Sequence, residues 1–184
     1  KRNNVVLSRR AVVEALSNDF SEDVPGIASG ADGRVHVSYI VGLTIHYAVL
    51  GAGGWTTAEV AEKPYNEASF YGVGTSLALD GAGVVHIAHP YGSSELRHTT
   101  NATGAWTTET VSQARTYNPD PSYYSDLYLE GGPLAPAITA DAAGKLYVLW
   151  VSHASGGGWF FRYSTNASGS WETVGESYRG VGLE

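Results

Sequence analysis

Two stretches of this chain concentrate side chains suited to hydroxyl-rich ligands. The longer one, SQARTYNPDPSYYSDLYLEGGPLAP, holds Tyr117, Asp120, Tyr123, Tyr124, Asp126, Tyr128 and Glu130. The shorter one, AEKPYNEASFYGVGT, holds Tyr65, Asn66, Glu67, Phe70 and Tyr71. A third short segment, His89-Pro90-Tyr91, adds Tyr91. Tyrosine faces stack on the C–H faces of sugars, while carboxylates and amides bond to hydroxyls. The same composition suits a protein partner, because Tyr-rich loops form paratope-like surfaces. The candidate ligand-binding residues are Tyr65, Glu67, Tyr71, Tyr91, Tyr117, Asp120, Tyr123, Tyr124 and Asp126, and the ligand is a glycan or a protein.

Catalysis would ask more of the same carboxylates. Glycoside hydrolysis needs an acid and a base or nucleophile about 5 to 9.5 Å apart. Asp120, Asp126 and Glu130 are the candidates for such roles, with Glu67 also available; sequence sets no distance between them. Asp120, Asp126 and Glu130 could alternatively hold Ca2+ through oxygen ligands, although their spacing is not that of an EF-hand. No other cofactor is expected. Ser-His-Asp order, a phosphate loop and an HExxH motif are all missing from the sequence.

Composition narrows the classes. The net charge of −7 disfavours nucleic acid, which needs a basic surface. No apolar run reaches the ~18 residues of a membrane helix, so membrane insertion is not expected. With no Cys among 184 residues, disulfides and thiolate chemistry are out. The chain starts at Lys1 and has no Met, which fits a processed chain or a piece of a longer one. Richness in Tyr, Trp, Gly, Ser, Thr and Asn points to an extracellular or cell-surface protein.

What positions the candidate residues is a repeat. Gly33, Gly83 and Gly144, at steps of 50 and 61 residues, open equivalent strands, and Trp55, Trp106 and Trp171 close the units in the same order. Each unit reads as four short strands. In the second these are 76–79, 84–89, 96–100 and 106–111, joined by turns such as Asp80-Gly81-Ala82-Gly83 and Asn101-Ala102-Thr103-Gly104. The second strands are apolar on both faces, so each sheet lies between two other layers. A repeating unit that cannot bury its own faces must stack on its neighbours. Stacked four-stranded antiparallel sheets describe a β-propeller.

The expected fold is therefore all-β: a propeller arc of about three and a half blades, forming an incomplete ring. Residues 25–60, 75–111 and 135–174 are blades, 1–24 the last strands of an earlier blade, and 175–184 a tail. Rings usually need four to eight blades. The missing ones would come from a longer parent chain or another subunit, and the isolated chain is not expected to be a stable monomer.

The repeat also separates architecture from function. His36 and His86 share one repeat position with Tyr147, while Tyr47, His98 and Tyr163 share another, so packing is expected of these histidines. His153 lies in a loop outside the repeat. Asp80 and Asp141 read as turn caps. Asn101 and Asn166 are formal glycosylation sequons at equivalent hairpin turns, and the turn role is expected. The repeat breaks most in the links from a fourth strand to the next first strand. These links share one end of the blades with the segments His89-Pro90-Tyr91 and Ser152 to Gly158, which read as loops.

The signature x-L-A-L-D-x-x-G-x-x-H-I-A, followed by L-R-H-T-T-N-x-x-G-x-W-x-x-E-x-V, resembles the bacterial repeats of the sialidase-like, BNR-type propeller superfamily, over nearly the whole chain. It departs from the Asp-box, S/T-x-D-x-G-x-T-W: Asp80 and Asp141 stand three residues before their glycine, and Gly30 replaces the Asp in the first unit. The resemblance implies a propeller of a group containing sialidases, other glycosidases, lyases and lectins. A sialidase would need several arginines around the substrate carboxylate; Arg115 lies in the long link, and Arg97 and Arg162 at repeat positions. The expected function is carbohydrate or protein recognition, with a carbohydrate-active enzyme or a structural scaffold as alternatives.

Overall fold

The computed structural model describes residues 26–62, 74–91, 95–113, 116–117, 128–129, 131–153 and 159–176. Among these residues all regular structure is β. Three four-stranded antiparallel sheets follow one another along the chain. The first contains β1 (Gly26–Ser29), β2 (Val35–Val41), β3 (Thr44–Gly51) and β4 (Gly54–Glu62). The second contains β5 (Ser76–Leu79), β6 (Val85–Tyr91), β7 (Glu95–Thr100) and β8 (Thr107–Gln113). A two-stranded ribbon, β9 (Thr116–Tyr117) with β10 (Tyr128–Leu129), separates it from the third sheet. That sheet contains β11 (Gly131–Ala140), β12 (Leu146–His153), β13 (Trp159–Thr165) and β14 (Glu172–Glu176). The strands expected at 5–8 and 11–16 lie outside the described residues.

Turn chemistry explains why the strands stop where they do. Asp80 Oδ1 accepts the backbone N–H of Ala82 and of Val84, each at 2.9 Å. Asp141 repeats this with Ala143 at 2.8 Å and Lys145 at 2.9 Å. Gly83 and Gly144 take φ of 80° and 77°, a region that disfavours any residue with a Cβ. In the first sheet Gly30 stands where the capping Asp is elsewhere, and Asp32 Oδ1 accepts from Arg34 N instead. Asn101 Oδ1 accepts from Val85 N, and Asn166 Oδ1 from Leu146 N, so both sequon asparagines tie a hairpin turn to the second strand of their sheet.

One expected loop, and the start of another, are strand. His89-Pro90-Tyr91 completes β6, with Pro90 opposite Leu96 and Tyr91 opposite Glu95. Ser152 and His153 likewise complete β12, with His153 opposite Trp159 and Gly131.

Strand alternation gives each sheet two apolar faces, and the sheets stack through them. Ile40, Ile45 and Val60 of the first sheet pack on Leu77, Val85 and Ile87 of the second. Ala78, Ala88, Leu96 and Val111 on the opposite face of the second sheet pack on Ile138, Val148 and Trp150 of the third. Most of these residues are almost wholly buried. The first strands β1, β5 and β11 touch closely, whereas the fourth strands β4, β8 and β14 barely meet, so the sheets fan out like blades from the first-strand side.

A polar clasp holds the narrow side of the first two blades. Thr75 Oγ1 donates to Ser38 O at 2.9 Å, contacts Ser38 Oγ at 2.7 Å and accepts from Gly26 N at 3.3 Å. Gly26 is required by this approach: a Cβ there would sit 2.7 Å from Leu77 N and from Ser38 Oγ. Gly26→Ala should cost about 1–3 kcal/mol through forced backbone displacement. Gly51→Ala, where an added Cβ meets nothing within 4 Å, should be neutral or slightly stabilising. Urea denaturation of the two variants checks this. Equal stability would mean that the blades are not held at this distance.

Candidate functional site

Strand register defines the end of the blades from which the candidate segments leave. Val41, Thr44 and Glu62 stand in one row across the first sheet, Tyr91, Glu95 and Gln113 across the second, and His153 and Trp159 across the third. The links leaving β4 and β8 and the turns after β2, β6 and β12 therefore share this end. Within the long link, β9 and β10 pair Tyr117 with Tyr128 and Thr116 with Leu129. Asp120, Tyr123, Tyr124 and Asp126 belong to the segment between β9 and β10 and lie outside the described residues, as do Tyr65, Glu67, Tyr71 and Glu130. Tyr117 is described as part of the ribbon.

Tyr91 heads a defined polar cluster. The Arg97 guanidinium lies over its ring, 3.0 Å from the centroid, in a cation–π contact. Arg97 Nε donates to Glu95 Oε2 at 2.9 Å, and Nη2 is 2.9 Å from the same oxygen. Gln113 Nε2 donates to Glu95 Oε1 at 3.0 Å. Tyr91, Glu95 and Arg97 are all partly exposed. An aromatic ring, a guanidinium, a carboxylate and an amide are thus fixed at the link end of the second blade. Arg97 passes in the sequence for an ordinary repeat residue, and Glu95 and Gln113 carried no signal. The signal available was the row that joins Tyr91, Glu95 and Gln113 across a hairpin.

A basic group beside an aromatic ring recurs in the other blades, but the rings there, Tyr39 and Trp150, hold the place of buried His89 and not that of Tyr91. His46, Arg97 and Arg162 hold one position in β3, β7 and β13. His46 stacks on Tyr39 with ring centroids 5.3 Å apart, and Arg162 lies over Trp150 at 5.6 Å.

His36, His86, His89 and His98 are structural. His98 Nδ1 is 2.9 Å from Glu109 Oε1, so that nitrogen carries the proton and Nε2 accepts. His86 Nδ1, 3.0 Å away, donates to it, which leaves His86 Nε2 an unpaired buried acceptor. Asp80 Oδ2 is 3.6 Å from that nitrogen, too far for a hydrogen bond, and favours the protonated form of the ring. Trp171 of the third blade donates Nε1–H to Glu109 at 2.8 Å. Burial raises the Glu109 carboxyl, but the bonds from Trp171 and His98 outweigh it and hold the group below its ordinary value. His36 bonds to Tyr47 Oη through Nδ1 at 2.6 Å. Among the described residues no cluster of three His, Cys, Asp or Glu is placed to hold a metal ion. No helix there is long and apolar enough to cross a membrane.

His89 is fully buried in the core. Its Nδ1 faces Pro90 O at 3.0 Å and must carry the proton, so Nε2 accepts from Thr99 Oγ1 at 2.8 Å. Burial drives its pKa down to about 4, and Arg97 adds to the effect against the opposing bond to Pro90 O. Burial also lowers His86 and His98, against the opposing pull of Asp80 and Glu109 respectively. An unfolded histidine takes up its proton near pH 6.5. As pH falls from there to about 4 the unfolded chain gains a proton that folded His89 refuses, and stability drops. The expected loss from His89 alone is about 2 kcal/mol by pH 5. His89→Asn should flatten the fall in thermal midpoint between pH 7 and 5. An unchanged slope would contradict the role given to this residue.

No protein-family profile matches the chain, and no curated protein matches it. Solved structures do. AofleA from Arthrobotrys oligospora superposes with a TM-score of 0.52 at 12% identity, over 84% of this chain and 42% of its own. The Hadza microbial sialidase Hz136 gives 0.52 at 10% identity, over 82% and 36%. A fucose lectin from Kordia zhangzhouensis, solved with methyl-fucoside, gives 0.48 at 11% identity, over 84% and 100%. The chain thus spans less than half of AofleA and of the sialidase. Likeness at these identities speaks to fold alone, and that fold is shared with AofleA and with this sialidase.

Proposed function

We propose that this chain is a carbohydrate-recognition module whose ligand contacts the link end of the blades, on the outside of the cell or at its surface. The observation that carries the reading is the Tyr91–Arg97–Glu95–Gln113 cluster. Its polar groups hold one another in place, so little side-chain freedom remains to be lost on binding. Arg97 and Gln113 offer donors to sugar hydroxyls, Glu95 offers acceptor lone pairs, and Tyr91 offers an apolar ring edge beside them. His46 and Arg162 hold the place of Arg97 in the neighbouring blades, there against the buried rings of Tyr39 and Trp150. The Tyr- and Asp-bearing segment between β9 and β10 supplies the further aromatic and carboxylate groups that this reading assigns to the ligand. A sialidase is among the proteins sharing the fold, which is consistent with a glycan as the ligand.

A glycan array followed by calorimetry tests the reading. Tyr91→Ala and Arg97→Ala should each weaken the best ligand at least about tenfold, or ~1.4 kcal/mol. Tyr123→Ala with Tyr124→Ala should weaken it comparably. Absence of glycan binding, or binding untouched by all of these changes, would overturn the proposal. Glycan turnover abolished by Asp120→Ala, Asp126→Ala or Glu130→Ala would replace it with a glycosidase or lyase.

A further inference from the structure

We propose that the link-end site takes neutral glycans and turns away carboxylated and sulfated ones; this rests on the chain being a carbohydrate-recognition module and adds the charge class of its ligand. What decides the class is the polar capacity that the Tyr91–Arg97–Glu95–Gln113 cluster has left over. Arg97 Nε donates to Glu95 Oε2 at 2.9 Å, and Nη2 is 2.9 Å from the same oxygen. Tyr91 covers one face of the guanidinium. The Arg97 charge is thus met inside the cluster, by a carboxylate that stays within reach of any ligand bound to Arg97.

The remaining capacity mixes donors with acceptors. Glu95 Oε2 is crowded, with Thr110 Oγ1 also 3.5 Å away. Oε1 accepts one bond, from Gln113 Nε2 at 3.0 Å, and a carboxylate oxygen has room for about two. Among the described residues Arg97 keeps N–H groups on Nη1 and Nη2, and Gln113 keeps one N–H and its carbonyl oxygen. A sugar hydroxyl both donates and accepts, so a pair of hydroxyls can use both kinds. A carboxylate or sulfate only accepts. It would bond to Arg97 and Gln113, leave the free lone pair of Glu95 Oε1 unused, and bring a negative charge up to Glu95.

The surroundings carry the same sign. Glu62, in the corresponding row of the first blade, is exposed, and so is Glu59 near it in β4. In sequence the two links that leave this end, 61–75 and 112–136, hold five carboxylates against two basic residues. The turn after β6, Gly92-Ser93-Ser94, carries no charge to offset them. Like charges brought together across an interface suppress the wrong partner, and here an acidic glycan is that partner. A neutral glycan meets no such opposition and gains the hydrogen bonds.

An array that pairs neutral galactose-, fucose-, mannose- and glucose-terminated oligosaccharides with their sialylated, sulfated and uronic acid counterparts tests this. The best neutral probe should bind at least about tenfold more tightly than its acidic counterparts. Its affinity should change less than about twofold between about 50 and 300 mM NaCl, because no net charge is neutralised on binding. Glu95→Gln keeps the shape and removes the charge; it should narrow the gap between neutral and acidic probes to about threefold or less, with an unchanged circular dichroism spectrum. An acidic probe bound as tightly as its neutral counterpart, or neutral binding that falls steeply with salt, would overturn the proposal and leave the carbohydrate reading standing. A gap untouched by Glu95→Gln would overturn the part given to this cluster. Binding to no glycan of either kind would overturn the carbohydrate reading itself, and this proposal with it.

Discussion

Every blade here relies on its neighbour to bury a face. A lone four-stranded sheet with two apolar faces would leave one or both wet, and second strands such as β6 are buried along nearly their whole length. Two kinds of contact meet that constraint. Full burial of Ile45, Ile87 or Leu96 contributes about 1.5–3 kcal/mol each. The aromatic contacts Trp106–Tyr47 and Trp171–His98 add about 0.5–1.5 kcal/mol each beyond their area. The aliphatic layer therefore supplies most of the energy. The tryptophans supply direction, because a ring fits only one place on the next blade, and Trp171 also reaches Glu109 with a hydrogen bond.

The local devices that keep the blades uniform are inexpensive and repeated. An Asp side chain closes the first turn from within, a positive-φ glycine follows, and an Asn ties the later turn back to the second strand. Where the first blade loses its Asp to Gly30, Asp32 assumes the turn role, and His36 Nε2 is left unpartnered in the core. His86 retains Asp80 nearby and is also without a hydrogen bond at Nε2. These histidines persist neutral inside the stack, which ties the stability of the whole arrangement to pH.

Much of this architecture was legible in the sequence because repetition states the same thing three times. Gly83 with Asp80, and Trp106 with Val111, mark strands and turns that the structure places within one or two residues. The sequence misled where burial overrode a local signal. Pro90 argued for a loop, yet β6 runs through it opposite Leu96, and His89 found two partners in the core. The candidate site was legible only in part. Tyr91 was recognisable as a lone aromatic at a link. Its partners Glu95, Arg97 and Gln113 were not, because cross-strand neighbours far apart in sequence become visible only once register is known.

The stack also connects fold to function. Links between blades share an end because all three sheets run in the same sense, and so Tyr91, Arg97 and Glu95 sit beside the roots of the Tyr-rich segments. The most direct measurement of the central claim is a double-mutant cycle on the stacking contact, using Trp106→Leu and Tyr47→Leu in urea denaturation. Blades that register through these rings should give a coupling of about 1 kcal/mol. A coupling within about 0.3 kcal/mol of zero would show that the rings do not interact across the interface and would contradict the account.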